Sequence, residues 1–492
     1  MLFRGIFLRS FCSRGNWGNW TVRNRPRLWL YFLSLVVAGS VSGPAQDIQT
    51  QKLDRAYQSA VAQYEAGNYP QAAAQLENLL PHAQNSFAIH ELLGLTYASL
   101  SQDAKAMSHL ETATRLKPDS AEGHTNLAAS LMHAGKTEPA GEQFRKALAL
   151  EPDEYEPNHN LGEFYIQLGK IADAYPYLDH AQRVRPNSYD NGYDLAMTCF
   201  LTGRLGAARQ LVQSLLQEKN TGELHNLLGQ IDEKDEKFVD AVNEFEAAAH
   251  LDPSEDNLFD WGSELLLHRT YEAAIDVFKK ATELFPRSPR LMIGLGMALD
   301  LRGKYDDAVK ALLTAADLDP SDARCYLFLS KAYDSSPNQA EDVIRRFRRY
   351  AELQPGNALA QYYYAVSLWK GKRVGDEGLD LKVVEALLQK SIALDASLEQ
   401  AHVQLGNLYA DEHQYEQSIP EYVRALELNP NLSDAHYRLG TDYVHVGQKE
   451  QAQKEFDVYQ KLRAEHLAEV DKERAEVQQF VTSSRAAAAN KP

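Results

Sequence analysis

Residues 160–175 read NLGEFYIQLGKIADAY, and nearly the same phrase returns as LGMALDLRGKYDDAV at 295–309 and as LGNLYADEHQYEQSI at 405–419. A catalytic motif occurs once in a domain, whereas a phrase that recurs along a whole chain is a packing unit. Within it, Leu161, Phe164, Tyr165 and Leu168 fall at helical spacing and mark a helix with one buried face. Gly169 ends that helix, supplying the positive φ that a helix C-terminus commonly needs. A second helix follows, with Ala174 and, four residues on, Leu178. The same pairing returns as Ala140/Phe144, Ala241/Phe245 and Ala274/Phe278. A small residue where two helices cross lets the backbones approach, and the bulky one fills the gap beside them.

The prolines set the period. Pro118, Pro152 and Pro186 stand 34 apart, Pro253 and Pro286 stand 33 apart, and Pro320 and Pro355 follow after 34 and 35. Each begins the connection to the next unit, because proline cannot continue the helix before it. Two repeats fill the 67 residues from Pro186 to Pro253, with Asn220 in the proline slot. The 75 residues from Pro355 to Pro430 hold two repeats, with Ala396 in that slot and an insertion of about seven residues read as KRVGDEG at 372–378. A small residue recurs eight places into every unit: Ala60, Gly94, Ala128, Gly162, Ala196, Gly229, Gly262, Gly296, Ser330, Ala365, Gly406 and Gly440. About twelve units result: 53–86, 87–120, 121–154, 155–188, 189–221, 222–254, 255–288, 289–322, 323–357, 358–398, 399–432 and 433–463. Gly135, Gly203, Gly303 and Gly447 hold the turn between the two helices elsewhere, but Arg269 takes that place in the seventh unit and SSPNQ (335–339) in the ninth, where local geometry is expected to blur.

This pattern resembles the tetratricopeptide repeat over about 410 of the 492 residues. The resemblance implies an all-α, right-handed superhelical solenoid of antiparallel helix pairs, with a concave groove lined mainly by first helices that binds a peptide or partner protein. Before the array, 46–52 reads as a linker; after it, 464–482 reads as a polar helix capping the apolar end of the stack, and 483–492 as an unstructured tail.

In the family, groove-facing places on the first helix lie six and three before the small residue and one, four and five after it. The places three before and four after are seven apart, hence on one side of a helix. Read there, the candidate partner groove comprises Tyr57 and Tyr64, Tyr193 and Phe200, Phe259, Tyr362 and Trp369, and Tyr437. Such rings suit an extended peptide, or a glycan or other polymer, and they equally suit packing against the neighbouring helix. The carboxylate-clamp branch of the family needs Lys and Asn at groove slots that here read Thr125/Ala129 and His159/Glu163, so that function is not expected. Asn126 and Asn160 make two rungs of an asparagine ladder, which stops at Asp194. The basic island IRRFRRY at 344–350 is expected to place Phe347 in the core and its arginines outward, toward neighbouring acids such as Glu341, Asp342 and Glu352, or toward an acidic partner or lipid head groups.

The chain carries 51 basic and 68 acidic residues, and six of the arginines stand in residues 1–45, which hold no acid. The other 45 basic residues face all 68 acids, a balance of −23 that repels phosphate backbones and disfavours nucleic acid. Cys12, Cys199 and Cys325 form no ligand or redox motif, and the 15 histidines look scattered, with no HExxH. No Ser/His/Asp nucleophile setting or glycine-rich phosphate loop is present, so no catalytic, cofactor or metal residue is assigned.

Residues 1–45 run from arginines through the apolar Leu28–Val37 to AGSVSGPAQ, the order of a secretory signal peptide with cleavage after Ala45 or in Ala38–Ser40. An uncleaved anchor or a start further downstream are the other readings, and the 14-residue run Leu28–Val41 is short for a bilayer span. The function expected is a non-enzymatic, exported interaction scaffold, periplasmic or secreted, with a glycan-binding export or surface module and a membrane-anchored or cytosolic adaptor as alternatives. About 45 residues before the array and 30 after it are too few for an added transferase or protease domain.

Overall fold

The computed structural model of the chain describes residues 44–371 and 380–489, so the signal-like segment to residue 43, the 372–378 insertion and the last three residues lie outside the described part. Among the described residues there are 24 α-helices and no strand. They alternate as first and second helices of successive pairs: in the fourth repeat Tyr155–Gln167 and Ile171–Val184, in the eighth Pro289–Leu301 and Tyr305–Leu318, in the eleventh Glu399–Asp411 and Tyr415–Leu428. The described residues divide into two compact bodies, one ending at Pro253 and the other beginning at Ser254. Within each, the two helices of a pair pack on each other, and second helices pack on the first helix of the next pair. The architecture is an all-α solenoid of helix pairs.

Local chemistry explains the helix ends. Before the first helix, Ser86, Ser120, Ser188, Thr221, Ser254, Ser288, Asp322 and Asn357 each accept a backbone N–H from two or three residues on, satisfying a donor the helix itself leaves unpaired. Between first and second helix one residue takes the left-handed conformation. It is glycine at Gly67, Gly135, Gly169, Gly203, Gly303 and Gly447. Ser101, Glu236, Arg269 and His413 hold the same place at φ between 56° and 60°. The turn at Arg269 therefore keeps the geometry of its glycine counterparts and is not blurred. The ninth repeat does depart: a 3₁₀ turn, Pro337–Gln339, replaces the tight turn.

Packing follows the small residues. Ala106, Ala140, Ala174, Ala208, Ala241, Ala274 and Ala308 at the helix crossing are wholly excluded from solvent. Opposite them, a Cβ added to Gly94 would lie 2.4 Å from Leu110 Cγ, and one on Gly296 would lie 2.5 Å from Leu312 Cγ. Only a bare Cα fits at that separation.

Both ends of the array differ from expectation. Residues 46–52 are not a linker but part of the first helix, Pro44–Glu65. At the other end one 41-residue helix, Lys449–Ala489, runs through the last repeat's second helix, the segment read as a separate cap, and the first residues read as an unstructured tail. No glycine, the commonest residue at the left-handed turns of this chain, and no connecting proline occurs between Gly447 and Pro492. Among the described residues no helix is long and apolar enough to cross a membrane.

Candidate functional site

The first-helix place three residues before the small residue holds one side chain per repeat. In the first body that row reads Tyr57, Glu91, Thr125, His159, Tyr193 and Asn226, each with a hydrogen-bonding group. In the second body it reads Phe259, Ile293, Leu327, Tyr362, Val403 and Tyr437, predominantly apolar or aromatic. The sequence names the rings of this row as the groove and reads Thr125 and His159 only as slots that lack the clamp residues, so the polar run from Tyr57 to Asn226 is seen as one row only in the fold.

The rings themselves are mostly engaged in packing. Tyr57, Phe200 and Phe259 are buried, and Tyr64, Tyr193, Tyr362 and Trp369 are half-buried. Tyr57 and Tyr64 belong to the cluster around Leu76 and Leu92, Tyr193 and Phe200 to that around Leu195 and Val212, and Tyr362 and Trp369 to that around Leu388 and Leu405. Phe259 meets Phe278 edge-on at 6.0 Å and carries the Arg290 guanidinium 3.7 Å above its ring. Tyr437 stands apart: it is 51% exposed, although it touches Phe456 and Tyr459.

One member of the polar row, Glu91, is bonded from the next repeat by the residue after Thr125. Asn126 Nδ2 donates to Glu91 Oε1 at 3.0 Å, linking the second and third repeats. Burial, then the nearby Glu122, push the Glu91 carboxyl up to about 8, against the opposing Asn126 bond and Lys117. The Tyr57 phenol is raised as well, first by burial and then by Glu91 and Glu122. At neutral pH this corner holds a protonated, buried acid.

His159, Glu163 and Asp194 form a second cluster. They are the places where the clamp residues and the third asparagine rung were missing, and the fold gathers their ligand atoms within 4.8 Å of one another. His159 and Asp194 are buried and Glu163 half-buried. The two buried members are 35 residues apart, the same step as Glu91 to Asn126, because it carries one first helix to the matching face of the next. A scan for ligands close in sequence misses that relation.

The histidines prove less scattered than they look. His90, His124, His225, His402 and His436 each occupy the fourth position of a first helix, and each turns Nδ1 to the residue 19 later on its own second helix: His109, Gln143, Glu244, Glu421 and Glu455. The other ring nitrogen meets the preceding connection: Gln84 O, Pro118 O and Pro430 O at 3.0 Å for His90, His124 and His436. Asn158 and Tyr326 reach Pro152 O and Pro320 O in the same way. This place is a staple between consecutive repeats, tying a first helix to a carbonyl of the connection before it.

In the basic island, Phe347 is 1% exposed and the arginines are engaged within the chain. Arg345 pairs with Asp342; Arg346 and Arg349 pair with Asp317 at 2.6 and 3.0 Å; Arg348 donates to the Tyr364 hydroxyl at 2.9 Å. Cys199 and Cys325 are buried thiols pushed up by burial, as inert core residues are.

Comparison with known proteins points one way. A tetratricopeptide repeat model matches residues 57–121 and 259–323, a second matches 166–231, and a TPR repeat model matches 406–444. The chain is 28% identical over 106 residues, 22% of its length, to small glutamine-rich tetratricopeptide repeat-containing protein 2 of Mycosarcoma maydis. It is 30% identical over 152 residues, 30% of its length, to TPR repeat-containing protein YpiA of Bacillus subtilis (strain 168). The matches cover 30% and 33% of those relatives, so the chain spans about a third of each. Among solved structures it resembles the Cut9–Hcn1 hetero-tetramer of the APC/C (TM-score 0.36, 15% identity, 85% of this chain and 95% of that one). It also resembles PilW, a type IV pilus biogenesis factor (TM-score 0.37, 21% identity, 42% and 96%).

Proposed function

This chain belongs to the tetratricopeptide repeat family, whose members mediate protein–protein interactions, and from that premise we propose that it is a non-catalytic, exported scaffold holding a partner protein or extended peptide along its first helices. The observation that carries the reading is the row of one side chain per repeat: hydrogen-bonding from Tyr57 to Asn226, apolar or aromatic from Phe259 to Tyr437. An extended peptide brings a backbone N–H and C=O at each residue and needs partners for both, while its side chains seek apolar contact. In the first body the half-buried Thr125 and Tyr193 are the members of the row open to the first need, and in the second body the exposed Tyr437 serves the second. A scaffold also fits the weak exposure of reactive groups, since both described thiols are buried.

Export rests on the basic, apolar, small-residue order of residues 1–45. Crosslinking of the full chain in its native cell, followed by identification of the captured protein, tests the scaffold. Thr125→Arg and Tyr437→Arg, one on each row, are expected to abolish capture. Val239→Arg, on a second helix where the side chain is 76% exposed, is expected to leave it intact. Capture unaffected by both row variants would remove the groove from the proposal. Fractionation with N-terminal sequencing tests export: a soluble envelope or secreted form beginning near Gln46 supports it, and a cytosolic form retaining Met1 overturns it.

A further inference from the structure

We propose that His159, Glu163 and Asp194 bind a divalent cation of the zinc class, leaving an open coordination position on the first-helix face of the fourth and fifth repeats. One imidazole nitrogen and two carboxylate oxygens form a donor set suited to such ions, and the fold brings them within 4.8 Å of one another.

The orientation of the imidazole carries the argument. Asn191, wholly buried, donates through Nδ2 to the Leu178 carbonyl at 2.9 Å and to Gln182 Oε1 at 2.8 Å. A carbonyl can only accept, so the amide nitrogen is fixed on that side and Oδ1 is fixed on the other. Oδ1 faces His159 Nδ1 at 3.1 Å and must accept from it. Nδ1 is therefore the protonated nitrogen, and Nε2 is the one turned toward Glu163. Tyr155 stacks on the ring at 5.2 Å and 18°, holding its plane. An imidazole whose far nitrogen donates to a fixed carbonyl is the arrangement that orients histidine ligands in metal sites.

The spacing agrees. His159 Nε2 lies 3.6 Å from Glu163 Oε1, too long for a hydrogen bond. Two ligands of a tetrahedral ion with bonds of about 2.1 Å stand roughly 3.4 Å apart. His159 and Asp194 are nine-tenths buried or more, while the Glu163 side chain keeps 16% of its surface. The free coordination position thus opens beside Glu163, where water or a donor from a partner protein would complete the shell.

The competing state is an imidazolium, with a proton on Nε2 in place of the ion. The full chain without a polyhistidine tag, stripped with chelator, distinguishes the two. Titration with Zn²⁺ by calorimetry is expected to show one site per chain with raised thermal stability, and Co²⁺ is expected to give the visible absorption of nitrogen and oxygen coordination. Glu163→Gln and Asp194→Asn, checked for parental helicity, are each expected to weaken Zn²⁺ at least tenfold. In the parent alone, the ¹⁵N resonance of His159 Nε2 is expected to move to a metal-bound position. Absence of Zn²⁺ binding overturns the proposal, as does binding undiminished in both variants or an Nε2 that stays protonated with Zn²⁺ in excess.

Discussion

Gly162 lies flat against Leu178: a Cβ built on the glycine would stand 2.6 Å from both Cγ and Cδ2 of the leucine. The two residues are on the first and second helices of one repeat, and Leu178 is wholly buried. Gly162→Leu forces a branched side chain into that contact and is expected to cost about 1–3 kcal/mol or more by overpacking. Thermal unfolding of the variant reads the loss, and a transition unchanged from the parent would show that the crossing is looser than its geometry.

Glu91 makes the stability of the first body depend on pH. Its folded pKa, raised to about 8 from 4.5 by burial and Glu122, exceeds the value in the unfolded chain. The folded state thus binds a proton that the unfolded state releases between those values. The contribution is fully present below about pH 4.5, falls as pH rises, and is lost above about pH 8. Glu91→Gln keeps the oxygen that accepts from Asn126 and cannot ionise. It is expected to match the parent near pH 5 and to exceed it in denaturant midpoint near pH 8.5. Parallel pH profiles for the two proteins would refute a protonated Glu91.

The repeat was legible because its signals are local. Proline spacing, a small residue eight places in, and a bulky residue four after an alanine are all visible within one stretch of chain. The site was legible only in part, because its contacts run between repeats. His159 and Asp194 were both noted, one for lacking the clamp residue and the other for ending an asparagine run, yet nothing in one dimension says that a 35-residue step brings them together. The histidine staple was hidden for a related reason: its place is filled by His124 and His436 but also by Asn158 and Tyr326, which share a donor and no other likeness. The long terminal helix was divided at 463, where the repeat length runs out, and again before the terminal 483–492, but neither the count of a repeat nor nearness to a terminus ends a helix, and the backbone runs through both.

Arg269 holds the left-handed turn at φ 59°, where its counterparts Gly203 and Gly303 stand at 79° and 82°. A side chain with a Cβ is strained there by about 1–2 kcal/mol, offset in part by the greater entropy glycine loses on folding. Arg269→Gly is expected to stabilise the chain by roughly 0.5–1 kcal/mol. Chemical denaturation of the two proteins side by side checks it, and a lower midpoint for the variant would mean that the arginine side chain stabilises the turn by more than its strain.

His402 departs from its counterparts at the connection before it. Its Nδ1 meets Glu421 at 2.6 Å, but its buried Nε2 has no hydrogen-bond partner. The proline slot before it holds Ala396. Where that slot holds Asn220 instead, the asparagine side chain supplies the acceptor to His225 Nε2 at 2.6 Å; an alanine side chain cannot, and its backbone carbonyl is not in hydrogen-bond contact with His402. The backbone is nevertheless shaped for proline. Asp395 sits at φ −145° and ψ 97°, close to Asp319 and Asn429, which precede Pro320 and Pro430 at −134°, 91° and −142°, 95°. An extended residue is what proline requires before it. Ala396→Pro is expected to raise stability by about 0.4–1 kcal/mol through the unfolded chain, read as a higher melting temperature. A lower one would mean that the turn after Asp395 differs from those at Pro320 and Pro430 in a way their shared dihedrals conceal.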